Sequence, residues 1–133
     1  MKRTEPNNQN PQTIVFPFGT VLLYENYLVS EINEGETVTI EHNMELVKLS
    51  ECFYSDRPFG YITNRINSYA VDPKTYIETS KIENLVGFAV VAQEELMMSN
   101  TQIEKLFLKK PVEVFRDLEN ATVWIESIIA QLK

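Results

Sequence analysis

"LVGFAVVAQ", residues 85–93, decides the fold. Eight positions in a row are apolar or glycine before the first polar side chain. A run this short and unbroken reads as a strand buried on both faces, the place of a central strand in a parallel sheet. A parallel neighbour needs a crossover connection, so helices are expected on either side in the sequence. Upstream, Asp72-Pro73 is a helix start, with Asp at the N-cap and Pro at N1, where its missing N–H costs nothing. Tyr76, Ile77 and Ile82 are expected to face inward. Before it, Phe59–Ile66 reads as a strand, and "SDRP" at 55–58 breaks the preceding pattern. That pattern is a helix capped by Thr37 or Thr39 and running to about Phe53. Ile40, Met44, Val47 and Glu51 share one row, and Leu46, Leu49 and Phe53 share the next. Further back, "NEGE" at 33–36 supplies turn chemistry, and Tyr27–Ile32 and Val21–Tyr24 form a β-hairpin around "EN".

Downstream of the central run, Ser99 with Gln102 fits a capping box, followed by Ile103, Leu106 and Phe107 and then by Lys109-Lys110 at the helix end. "PVEVF" at 111–115 is a short strand. Asp117 caps a last helix in which Ala121, Trp124, Ile125, Ile128 and Leu132 recur at three or four residues. The order β-β-α-β-α-β-α-β-α predicts an α/β domain with a mostly parallel sheet of four to five strands, an N-terminal hairpin and about four helices.

The chain has 133 residues, enough for one domain with a substantial core. Residues 1–12, rich in Asn, Gln and Pro, read as a tail, and 13–133 as the domain. A net charge of −7 disfavours nonspecific binding to nucleic acid or to anionic membrane. No apolar run approaches the ~20 residues of a membrane span, so no membrane insertion is expected. The N-terminus lacks the apolar h-region of a signal peptide. The single cysteine, Cys52, cannot form an internal disulfide and suits a reducing compartment, so the expected location is the cytoplasm.

"LVGFAVVAQEE" and the ending "PVEVFRDLENATVWIESI" resemble the STAS superfamily, in particular its SpoIIAA-like branch, which is sometimes grouped with lipid-binding SEC14-type domains. The likeness lies in Val112, Phe115, Asp117, Glu119, Ala121 and Trp124, and extends over roughly Phe18 to Leu132. It implies a compact domain with helices packed mainly on one face of the sheet. It also implies regulatory, protein-binding or small-ligand-binding roles, and the reading adopted is a non-enzymatic regulatory or protein-interaction domain, with a small-ligand carrier as the alternative. In that family's anti-sigma-factor antagonists, a phosphorylatable serine lies in an Asp-Ser-Ser-Gly-like turn after a central strand. Here that place reads "NRINSYAVDP", and the switch is not carried over to Ser68.

Ligands in open parallel sheets collect outside the carboxyl ends of the strands. Three groups are expected there: Asn64, Arg65, Asn67, Ser68 and Tyr69; Gln93, Glu94 and Glu95; and Arg116 with Asp117. They are candidates for binding a protein partner, a second copy in a homodimer, or a lipid-like or nucleotide-like molecule held between sheet and helices. Loop polarity alone also accounts for them, and Asn67 and Asp72 have ready local roles in turns and caps. Arg65 pairs with Glu94 or Asp117, or its planar fork receives a carboxylate or phosphate. Tyr61, Tyr69 and Tyr76 either line a pocket or fill inward element positions. His42 is a capping or surface residue, and Cys52 is expected to be a buried, inert thiol. No nucleophile–base pair, metal-ligand cluster or phosphate-binding glycine loop is recognisable, so neither catalysis nor a cofactor is expected.

Overall fold

A computed structural model describes residues 11–93 and 108–132. The elements are β1 Gln12–Phe16, β2 Gly19–Leu23, β3 Tyr27–Ile32, β4 Thr37–Val38, α1 Ile40–Tyr54, β5 Phe59–Arg65, β6 Ala70–Val71, α2 Lys74–Ser80, β7 Leu85–Ala92, β8 Val112–Phe115 and α3 Leu118–Gln131. Six strands form one sheet in the order β1-β2-β3-β5-β7-β8, and β4 and β6 form a separate two-stranded ribbon. β7 lies between β5 and β8, parallel to both, as its apolar run demands.

The sheet is mixed rather than mostly parallel. β1–β2 and β2–β3 are antiparallel, while β3–β5, β5–β7 and β7–β8 are parallel. The hairpin expected around Glu25-Asn26 is present, closed by a Tyr24 N–H to Tyr27 O bond of 2.9 Å. A second tight turn at Pro17-Phe18 adds β1 and turns the hairpin into a three-stranded meander.

Three helices, not four, lie among the described residues. The helix expected from Ser99 onward falls outside them, as do Glu94 and Glu95. The helices also divide between the two faces. Leu46 and Tyr54 of α1 and Tyr76 of α2 join Leu28, Tyr61, Phe88 and Val90 in one core layer. Ala121, Ile125 and Ile129 of α3 join Val29, Ile62, Ala89 and Val91 in the other. Right-handed crossovers of one sense keep α1 and α2 on the same side. α3 follows β8 and covers the opposite face.

Helix α1 begins with a reciprocal cap. Thr39 Oγ1 accepts from the His42 N–H at 3.1 Å, and His42 Nδ1 accepts from the Thr39 N–H at 3.4 Å. The imidazole also stacks on Phe18, with centroids 4.3 Å apart, so His42 has the expected capping role. Thr39→Ala is expected to lower stability by about 1 kcal/mol, the usual worth of an N-cap, read as a shift in the urea midpoint. The buried row of α1 is Asn43, Leu46, Ser50 and Tyr54. That row leaves Cys52 exposed, which corrects the expectation of a buried thiol. At the start of α2, Asp72 Oδ1 accepts from the Lys74 N–H at 3.0 Å. Tyr76 and Ile82 point into the core, but Ile77 faces solvent.

Candidate functional site

The carboxyl ends of β3 and β5 are tied together by their following loops. Asn67 Nδ2 donates to Ile32 O at 2.9 Å, and the Ser68 N–H donates to Glu34 Oε1 at 2.9 Å. Ser68 O accepts from the Gly35 N–H at 2.7 Å, and Gly35 holds φ +80°, a left-handed conformation natural to glycine. The β4–β6 ribbon continues this seam, pairing Thr37 with Ala70 and Val38 with Val71. The "NSYAV" segment is thus a built connection, with its polar groups engaged in holding two loops in register.

Strand alternation separates residues that are adjacent in sequence. Asn64 turns to the α3 side, where its Nδ2 donates to Glu31 Oε2 at 3.0 Å. Arg65 turns to the α1–α2 side and is only 6% exposed. Its guanidinium Nη2 donates to the Tyr76 hydroxyl at 3.4 Å and its Cζ lies 5.3 Å from the centre of the Tyr69 ring. Tyr69 in turn shares a 2.8 Å hydrogen bond with Thr63. At the far edge, Arg116 Nη1 donates to Gln93 O and Gln93 Nε2 donates to Arg116 O, both at 2.7 Å, clamping the ends of β7 and β8. Asp117 caps α3 through the Asn120 N–H at 2.8 Å. Arg65 faces the sheet side opposite α3, which removes Asp117 as its ion-pair partner.

Of the predicted site residues, Arg65 and Tyr69 come together, whereas Asn64, Asn67, Ser68 and Arg116 have separate structural tasks. Arg65 and Tyr69 line a cavity between the sheet and α1–α2, together with Tyr61, Thr63 and Tyr76. All three tyrosines singled out in the sequence meet there. Sequence reading missed Ser30 from β3, Asn43 from α1, and Thr75 and Thr79 from α2. Asn43 ties the two helices together: its Nδ2 donates to Thr75 O at 3.2 Å and its Oδ1 accepts from Thr79 Oγ1 at 3.3 Å. The signal was available in a polar residue placed on the inner row of an amphipathic helix, where it must find partners.

The cavity is partly open to solvent and its volume is about 30 Å³, room for about two water molecules. Its lining offers a guanidinium, phenols, small hydroxyls and one amide, which can orient a small polar molecule. Among the described residues the lining holds no histidine, cysteine or carboxylate. The described residues also include no group of three metal-ligating side chains, and no described helix is long and apolar enough to cross a membrane.

This architecture matches that of an uncharacterized protein of the DUF3478 family from Shewanella loihica PV-4, which has a SpoIIAA-like fold. The TM-score is 0.54 over 86% of this chain and 91% of that one. The fold is SpoIIAA-like. The two sequences are 15% identical, so the likeness concerns the fold alone. No protein-family model matches the chain, and no curated protein does. In the sheet, Arg65 and the loops after β3 and β5 lie at the carboxyl ends of these parallel strands.

Proposed function

We propose that this SpoIIAA-like domain is a non-enzymatic, STAS-like regulatory module that receives a protein partner on its strand-end loops. The observation that supports it best is the braced platform formed after β3 and β5. Backbone and side-chain bonds through Asn67, Ser68, Glu34 and Gly35 fix the platform before any partner arrives, which reduces the ordering cost of binding. Ile66, 60% exposed, stands on it among polar neighbours. An apolar anchor with a polar rim is the usual composition of a binding hot spot. The acidic balance of the chain favours a protein over a nucleic acid as partner, and the absence of a disulfide role for Cys52 suits a cytoplasmic setting.

The carrier reading ranks second. The hydroxyl-lined space around Arg65 supports it, but about 30 Å³ is far below what a lipid-like or nucleotide-like molecule needs. A carrier would have to displace α2 from the sheet. Native mass spectrometry of the purified protein distinguishes the two, since a carrier retains a copurified mass.

Ile66→Glu tests the platform. A partner recovered with the wild-type chain should be reduced at least about tenfold with the variant, the scale of one lost hot-spot contact. The thermal midpoint should stay within about 2 °C, since an exposed side chain adds little stability. Recovery of the same proteins in equal amount with both chains would count against the platform as the binding surface.

A further inference from the structure

β1 is an outer strand of the sheet, and the hydrogen bonding of its outward side can be deduced. Tyr24 N–H bonds Tyr27 O, and Asn33 N–H bonds Phe18 O. With the β2–β3 register, these bonds assign the even-numbered residues of β2 to β3. Gly19, Val21 and Leu23 therefore bond β1 through their register partners Phe16, Ile14 and Gln12. Bonded and non-bonded pairs alternate in an antiparallel ladder, so the N–H and C=O groups of Thr13 and Val15 point away from the sheet. The next outward positions, Pro11 and Pro17, have no N–H. The edge is thus a window of two donors and two acceptors, closed by a proline at each end. Gln12–Phe16 contains no charged residue and so lacks the lysine guard common on edge strands. Val15 is 76% exposed, the highest value among the exposed large apolar side chains described.

We propose that a second copy of this chain pairs antiparallel on β1, with the two-fold axis at Ile14, so that one sheet continues through the dimer. In this register Thr13 of each copy faces Val15 of the other. Each residue donates its N–H to the other's C=O, making four hydrogen bonds across the axis. Ile14 faces its own counterpart, and Pro11 faces Pro17, where pairing stops. A second copy fits this edge because the strand is its own complement. Every outward donor and acceptor of Thr13 and Val15 is satisfied, and the paired strands themselves carry no charge although each chain carries −7. This surface is separate from the strand-end platform, and the inference stands whether or not that platform binds a partner.

Sedimentation velocity of the full chain from about 10 µM to about 1 mM, the range of weak interfaces, should show conversion of monomer to dimer. Val15→Pro removes an N–H that makes no bond within the sheet, so the far-UV spectrum and thermal midpoint should be retained while the dimer weakens at least tenfold, by about the loss of two bonds. In a Cys52→Ser background, Ile14→Cys should form a disulfide-linked dimer on mild oxidation, because facing Cα atoms of a non-bonded pair lie about 4.5 Å apart. Thr13→Cys, two residues out of register with itself, should not. A monomer across the whole series, a dimer unaffected by Val15→Pro, or equal crosslinking of Thr13→Cys and Ile14→Cys would overturn the proposal.

Discussion

Gly60→Val is expected to lower stability by about 3 kcal/mol, at the upper end of the range for overpacking a filled core. Gly60 lies on β5 beneath α3, and a Cβ built there overlaps the Ile125 side chain, 2.5 Å from its Cγ2 and 2.8 Å from its Cγ1. Ile125 is fully buried, so it has nowhere to turn. The larger side chain would have to push α3 off the centre of the sheet. Gly87, on the next strand, provides an internal comparison. A Cβ there approaches Ile128 Cδ1 and the Trp124 ring at 3.2 Å, and both of those side chains are only half-buried. Gly87→Ala should therefore cost about 1 kcal/mol or less, because its neighbours can give way. Urea denaturation of the two variants provides the check. A Gly60→Val protein within 1 kcal/mol of wild type would mean that α3 is not seated as closely as the two glycines imply. Combining Gly60→Ala with Ile125→Ala should give less than the sum of the single losses, since the second change removes the atoms that the first one strikes.

The central strand, the Glu25-Asn26 turn and the caps at Thr39 and Asp117 were legible because each carries its own local physics. An unbroken apolar run needs burial on both sides, and a capping side chain needs a free N–H. β1 was harder to recognise, because "TIVFPFGTVLL" stays apolar through the turn and only Pro17 interrupts it. β4 and β6 are two residues each, too short for any periodicity to show. The split of helices between faces also left little local trace, since an amphipathic helix does not encode which side of a sheet it will cover. On α1 the inner row was misplaced because two of its members, Asn43 and Ser50, are polar. Both hydrogen-bond to backbone carbonyls, Asn43 to Thr75 O and Ser50 Oγ to Val47 O at 2.8 Å, so their burial leaves no unsatisfied donor. A search for apolar rows alone rotates the helix and wrongly buries Cys52.

The candidate site was legible in location and not in membership. The rule that ligands gather at strand ends pointed to the end of β5 that borders the cavity, but sequence adjacency grouped Asn64 with Arg65, and the pleat sends them to opposite faces. Arg65 also shares its cavity with Ser30, Asn43 and Thr79, which are distant in the chain. Only the three tyrosines hinted at the cavity, since a phenol in an inward position needs both an apolar wall and a polar end.

Tyr54→Ala is expected to have the largest single effect in the molecule, about 4 kcal/mol, as for other fully buried aromatic residues. Tyr54 closes α1 and is 0% exposed. Its ring stacks on Phe59, with centroids 4.4 Å apart and planes within 2°. Its hydroxyl donates to Tyr24 O at 2.8 Å, fastening the end of α1 to the turn between β2 and β3. Tyr54→Phe separates these contributions. It keeps the stack and loses only the buried hydrogen bond, so about 1–2 kcal/mol should disappear at neutral pH. The two proteins should also differ in alkaline solution. Burial holds the Tyr54 phenol well above its ordinary value, with the Arg57 guanidinium over the ring, 5.3 Å from its centre, opposing this only in part. In the unfolded chain the phenol ionises near pH 10, while in the folded chain it keeps its proton. The folded state then binds more protons, and stability falls as pH rises above 10. This one group contributes a loss of about 1.4 kcal/mol per pH unit there. The contribution is fully present below pH 10 and absent from Tyr54→Phe, so the stability difference between the two proteins should shrink between pH 10 and pH 11. A constant difference over that interval, measured by urea unfolding, would mean that the phenol ionises in the folded protein and that the end of α1 admits water.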